Sequence, residues 1–124
     1  LIKFAAILLL LICSLSANKQ AYASDVQVVK TYYATTSWYK HGKKTANGDL
    51  FRPYTHCTIA HKKLPFGTKL RLTNPHNNKI IISHVNDRGP YVKGVEFDIS
   101  LNCAVKLDII KDGRKTIKVE VLKG

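Results

Sequence analysis

Lys69–Thr73 (KLRLT) alternates polar and apolar residues, and Lys115–Leu122 (KTIKVEVL) does so cleanly. A period of two is the pattern of a half-buried β-strand. Lys79–Val85 (KIIISHV) is the strongest strand in the chain, and Val28–Tyr39 (VVKTYYATTSWY) has the Val, Thr, Tyr and Trp content of another. Cys57–His61 (CTIAH) is a candidate short strand. Turn chemistry separates these stretches: a loop from His41 to Pro53 containing Asn47-Gly48, the turn Leu64-Pro65-Phe66-Gly67, a hairpin-like connection over Pro75–Asn78, and the tight turn Asp87-Arg88-Gly89-Pro90. Ser100 stands as an N-cap before a short helix from Leu101 to about Leu107. About six short strands and one short helix predict a mainly β fold, a small closed barrel whose closure hides the strand edges. No internal repeat, low-complexity tract or second domain interrupts it.

The N-terminus has a different pattern. Phe4–Cys13 (FAAILLLLIC) is an unbroken apolar run behind Lys3, and Ala21-Tyr22-Ala23 follows as an A-x-A cleavage site. A bilayer-spanning helix needs about 20 apolar residues, so this run fits a signal-peptide core better than a span. The competing assignment, a buried N-terminal helix, lacks an apolar partner elsewhere in the chain. The expected organisation is a signal peptide over 1–23 and a folded domain over 24–124, exported to the periplasm or cell envelope. Ile12 precedes Cys13 where lipidation signals carry a small residue, which disfavours a lipid anchor at Cys13.

Composition narrows the partners. Hydrophobic residues at 45% exclude wholesale disorder and a multi-span membrane protein. Twenty Lys and Arg against 8 Asp and Glu give a net charge of +12, and removing Lys3 and Lys19 with the signal leaves +10. A chain so basic seeks polyanions. Export removes genomic nucleic acid from the candidates and leaves acidic wall polymers and lipid headgroups, or a charge that serves only solubility. Cys57 and Cys103 form an even pair in an oxidising compartment, open to a disulfide or to two buried thiols. A disulfide there would stabilise the fold by about 4 kcal/mol through loop closure. No metal-ligand spacing is present, so no metal or cofactor is expected.

Three segments carry candidate chemistry: Ser37-Trp38-Tyr39 with Gly42–Asp49 (GKKTANGD); Ala60–Thr68 (AHKKLPFGT); and Val85–Tyr91 (VNDRGPY) with Asp98-Ile99-Ser100. Together they resemble the rare lipoprotein A (RlpA-like) family, whose pattern is a SWY strand, a KTANGE loop, an AAHxxLPFGT segment, an NDRGP turn and a DLS helix start. The match runs from about Thr35 to Val121 in order and spacing. The resemblance implies a six-stranded double-psi β-barrel and a lytic transglycosylase acting on peptidoglycan glycan strands. Such enzymes cut the MurNAc–GlcNAc β-1,4 bond within strands, with the sugar's own 6-hydroxyl as nucleophile, and leave a 1,6-anhydro end. An intramolecular nucleophile needs one carboxyl group to act first as acid and then as base, where ordinary glycosidases need two.

Residue by residue, the resemblance makes Asp87 the acid/base; on bare sequence it is equally a turn Asp bonding its own backbone or Arg88. Asp49 stands where the family has Glu, one methylene longer, which puts its catalytic role in question. His61 matches the motif His and is expected to orient a carboxylate or bond a sugar hydroxyl, or else to bond backbone at a strand end. Trp38 and Tyr39 are candidate sugar-stacking rings, and as strand neighbours only one of them faces outward. Asn86 and Arg88 are candidate substrate contacts, with Arg88 alternatively bracing the turn. His84 joins them as a groove candidate because it lies two residues before Asn86. A monomer is expected. The chain ends at Gly124, just past the last strand, so no C-terminal septal glycan-binding domain is expected. The rival class is a non-catalytic, expansin-like polysaccharide-binding module; a third is a cationic effector that binds anionic surfaces by charge alone.

Overall fold

A computed structural model describes residues 26–124; the expected signal peptide and Cys13 lie outside them. The strands are β1 (Val28–Tyr39), β2 (Ile59–His61), β3 (Lys69–Thr73), β4 (Ile80–Asp87), β5 (Phe97–Ser100) and β6 (Arg114–Leu122), with one helix, α1 (Leu101–Leu107), between β5 and β6. They close into a barrel in the order β1-β5-β2-β4-β3-β6. β1 pairs with β5 and β2 with β4 in parallel; the other four pairings are antiparallel.

Alternation explains which face each residue takes. Leu70 and Leu72 of β3, Val85 of β4, Phe97 and Ile99 of β5, and Ile117 and Val119 of β6 point inward and form one core with Ile59. α1 closes it with Cys103, Ala104 and Leu107. No helix among the described residues is long and apolar enough to cross a membrane. The Cys57–Cys103 disulfide forms, with its Cα atoms 4.9 Å apart, and ties the long β1–β2 loop to α1.

Several details differ from the sequence expectation: β2 begins at Ile59 rather than Cys57, and β4 runs from Ile80 to Asp87, taking in the Asp expected in the turn. Asp98-Ile99-Ser100, expected to start a helix, belongs to β5. Four residues are too few for alternation to declare a strand, and β5 exists because it fills the space between β1 and β2. Ser100 is the N-cap by position but does not cap α1 with its side chain. Its hydroxyl donates to the His56 carbonyl and accepts from the Thr58 N–H, which joins the β1–β2 loop to β5.

Candidate active site

The register of four strands brings a lateral row together: Ser37 on β1 pairs with Asp98 on β5, Asp98 with Ala60 on β2, and Ala60 with Asp87 at the end of β4. Phe97 and Ile99 are fully buried in the barrel, so Asp98 between them takes the opposite face. Ala60, small and buried, is the one residue between the two acids. A bulge in the β2–β4 pairing, where Ile59 faces Val85 but Ala60 faces Asp87, carries Asp87 into the row.

Asp87 accepts three hydrogen bonds. Its Oδ1 receives the backbone N–H groups of Ala46 and Arg88, both at 2.9 Å. Its Oδ2 receives the Tyr39 hydroxyl at 2.6 Å. The Tyr39 ring stacks on Phe51, with centroids 4.8 Å apart and planes within 7°. Burial, then the bond to Asp87, then the charges of Asp87 and Asp98 push the Tyr39 phenol far above its ordinary value. Asp98 accepts the Ser37 hydroxyl at 2.9 Å. Burial, reinforced by the negative charge of Asp87 and opposed by the Ser37 bond, raises the Asp98 carboxyl above the usual Asp range.

The GKKTANGD loop folds over this row. Besides the Ala46 bond, Asn47 N–H donates to the Asn86 carbonyl at 3.1 Å, the Gly48 N–H closes a turn onto the Thr45 carbonyl at 3.0 Å, and the Thr45 N–H donates to the Asp49 carbonyl at 2.9 Å. Gly48 takes a φ of +95°, which favours glycine there. Asp49 points its Oδ2 at the side-chain amides of Asn47 (3.0 Å) and Asn86 (3.3 Å), with no hydrogen bond to Asp87. It lines a cavity of about 350 Å³ with Leu50, Arg52, His56, Thr58 and Asn86.

The other expected site residues divide. Tyr39 reaches Asp87 through its hydroxyl, and Asn86 precedes Asp87 on β4 and donates to Asp49. Trp38 packs against the core and donates its indole N–H to the Ile110 carbonyl at 3.3 Å, away from the row of acids. Ala34 and Thr36, on its side of β1, are buried, whereas Ser37 and Tyr39 line the site. Arg88 braces the turn: its guanidinium donates to the Leu64 and His61 carbonyls and lies 3.9 Å above the Phe66 ring. His84 is exposed opposite Lys69, and the bulge after Val85 breaks the alternation that was to align it with the site.

His61 orders its own turn. Its Nδ1 accepts the Lys63 and Leu64 N–H groups, so the neutral ring carries its proton on Nε2, 3.7 Å from Glu96. Burial lowers its pKa, and Arg88 and Lys62 add to this against Glu96. With Lys62, Lys63 and Glu96 it lines a second cavity, of about 440 Å³, at the other end of β2. Among the described residues no group of three His, Cys, Asp or Glu side chains is placed to hold a metal ion. The sequence reading placed Ser37 and Asp98 in the candidate segments without giving them a role, and did not single out Phe51. Asp98 had a signal, since it is the polar member of Phe97-Asp98-Ile99.

A family model described as lytic transglycolase matches residues 31–121. The chain is 39% identical over 108 residues to the endolytic peptidoglycan transglycosylase RlpA of Campylobacter jejuni, covering 85% of this chain and 39% of that protein. It is 43% identical over 99 residues to the protein of that name from Rickettsia bellii (75% and 42% covered), and 40% over 105 residues to that of Pseudomonas aeruginosa (73% and 30%). The chain thus spans less than half the length of these relatives. Among solved structures, the Streptomyces papain inhibitor superposes with a TM-score of 0.64 at 16% identity, over 80% of this chain and all of that one, which speaks to the fold alone. Barrel order, motif positions and family match agree, and the chain belongs to the RlpA-like family of double-psi β-barrels.

Proposed function

We propose that this domain is an endolytic peptidoglycan lytic transglycosylase that cuts the MurNAc–GlcNAc β-1,4 bond and forms 1,6-anhydroMurNAc, acting as a monomer in the cell envelope after loss of residues 1–23. The observation that carries the reading is the pair of carboxyl groups, Asp87 and Asp98, that register sets on either side of Ala60. The sequence expectation gave Asp87 both proton duties. The pair divides them, because environments that differ this much separate acid from base.

Asp98, whose carboxyl is shifted toward its protonated form by burial and by its neighbour's charge, is the one of the pair suited to give a proton to the glycosidic oxygen as the C1–O4 bond breaks. The Asp87 carboxylate faces the positive charge that develops on the sugar. It then takes the proton of the 6-hydroxyl as O6 closes on C1. Exchange with solvent returns the pair to its starting state. Asp49, Asn86 and the 350 Å³ cavity beside them supply polar contacts for a neighbouring sugar. The test is a digest of purified peptidoglycan, with and without stem peptides, by the unmodified chain and by Asp87→Asn and Asp98→Asn. Mass spectrometry should find anhydro-ended fragments from the unmodified chain only.

One observation favours the binding-module reading. Asp49, a methylene shorter than the family Glu, is absorbed by two side-chain amides and makes no bond to the acid pair. A folded protein that binds wall and releases no fragments would establish that reading instead.

A further inference from the structure

Counting acceptor sites on Asp87 singles out one oxygen. A carboxylate offers about four lone-pair sites, two on each oxygen. Oδ1 is saturated by two backbone donors, Ala46 N–H from the loop and Arg88 N–H from the turn. Oδ2 receives only the Tyr39 hydroxyl, which leaves one site free for a substrate proton. Tyr39 cannot drift from this post. Its ring is stacked face to face on Phe51, itself buried at the end of the loop, and its backbone is fixed by β1 pairing opposite Ser100. With one face covered by Phe51 and the hydroxyl committed at 2.6 Å, the ring acts on a protein group before it meets any sugar.

We propose that Tyr39 is a positioning residue: through its hydroxyl it fixes Oδ2 of Asp87 as the oxygen that exchanges a proton with substrate, and sets the direction of the free lone pair. This rests on the transglycosylase reading and assigns the Tyr a role other than sugar stacking. No covalent step involves the phenol. It stays a donor throughout, and burial beside two carboxyl groups keeps it from ionising. A carboxyl oxygen displaced by about 1 Å can cost about 10²-fold in rate, so loss of the hydroxyl should appear in kcat rather than in KM.

The test uses Tyr39→Phe, which keeps the ring and its stack and deletes only the donor. On peptidoglycan, kcat should fall at least about 10-fold with KM unchanged within about twofold and with thermal unfolding little moved. Phe51→Leu, which keeps the hydroxyl but loosens the ring, should give a smaller loss of the same kind. A second arm needs no turnover: with labelled tyrosine, the Tyr39 hydroxyl proton should exchange slowly with water by NMR in the unmodified chain and rapidly in Asp87→Ala. Unchanged kcat in Tyr39→Phe, beside an active unmodified chain, overturns the proposal. So does a rise in KM at constant kcat, which would make Tyr39 a substrate contact, or rapid exchange in the unmodified chain. An unmodified chain that cuts nothing would defeat the transglycosylase reading itself, and the exchange arm would still decide whether Tyr39 holds Asp87.

Discussion

The barrel holds carboxylates in two contrasting settings. On β6, Glu120 meets Arg71 of β3 in a two-pronged bond, Nε to Oε1 at 2.9 Å and the terminal nitrogen to Oε2 at 2.7 Å. The Arg71 bond holds the Glu120 carboxyl below its ordinary value, although burial works against it. On β5, Asp98 is also withdrawn from water, but it has a hydroxyl for a partner and a second carboxylate for a neighbour, and its pKa rises. Both acids project from strands of one barrel, so the strand does not determine which is structural. A charge given a matched cation stabilises the fold, whereas one given a like charge stores a proton at a cost to it.

The largest expected effect separates these settings by activity. Asp98→Asn and Asp87→Asn should each lower the rate of fragment release by about 10²–10⁴-fold, the span of general acid–base contributions. Glu120→Gln should leave release unchanged. A comparable activity loss in Glu120→Gln at intact fold would erase the distinction. Stability should move the other way: Glu120→Gln is expected to cost about 1.5–3 kcal/mol in denaturant unfolding, as loss of hydrogen bonds to a charged group does. Asp98→Asn should cost nothing at neutral pH or be stabilising.

The pH dependence sharpens the contrast because the slopes have opposite sign. Glu120 titrates lower in the folded state than unfolded, so its contribution is full above the unfolded value and is lost as pH falls through the folded one. Asp98 titrates higher when folded. Between the ordinary Asp value and the raised one, the native state holds a proton that the unfolded state has released, and stability falls as pH rises through that window. Unfolding free energies measured across acidic pH should therefore lose the low-pH decline in Glu120→Gln and the opposing slope in Asp98→Asn. The smallest effect belongs to His84→Ala, which should change neither wall binding nor release and should shift stability within about 0.5 kcal/mol. A measurable loss of release would return His84 to the site.

Much of this was legible in the sequence where one face of a strand is buried and the other is not. β1 and β3 have the bounds read from composition and alternation, α1 the bounds read from its cap, and the three motif segments do converge. What was illegible depends on partners distant in the chain. β5 is four residues long and owes its existence to β1 and β2. That only one of Trp38 and Tyr39 faces the site followed from the pleat. Which one it is depended on the inward face of β1, where Tyr32, Ala34, Thr36 and Trp38 give no clear apolar stripe. The orientation of the His61 ring, set by two amides of the following turn, has no trace in residue type. The division of labour between Asp87 and Asp98 required both neighbourhoods at once.

The split between the two oxygens of Asp87 also bears on how such a barrel can change over generations. The oxygen that anchors the loop and the turn is not the oxygen that the proposed mechanism turns toward substrate. An Asp-to-Asn change, one base in the codon, keeps the anchoring acceptor and removes only the proton-carrying one. If the proposed mechanism holds, a lineage sheds catalysis in a single step while the rest of the site stays folded. Descendants with Asn at this position should be carbohydrate binders of undiminished shape, whereas those with Ala there should have lost loop and turn together.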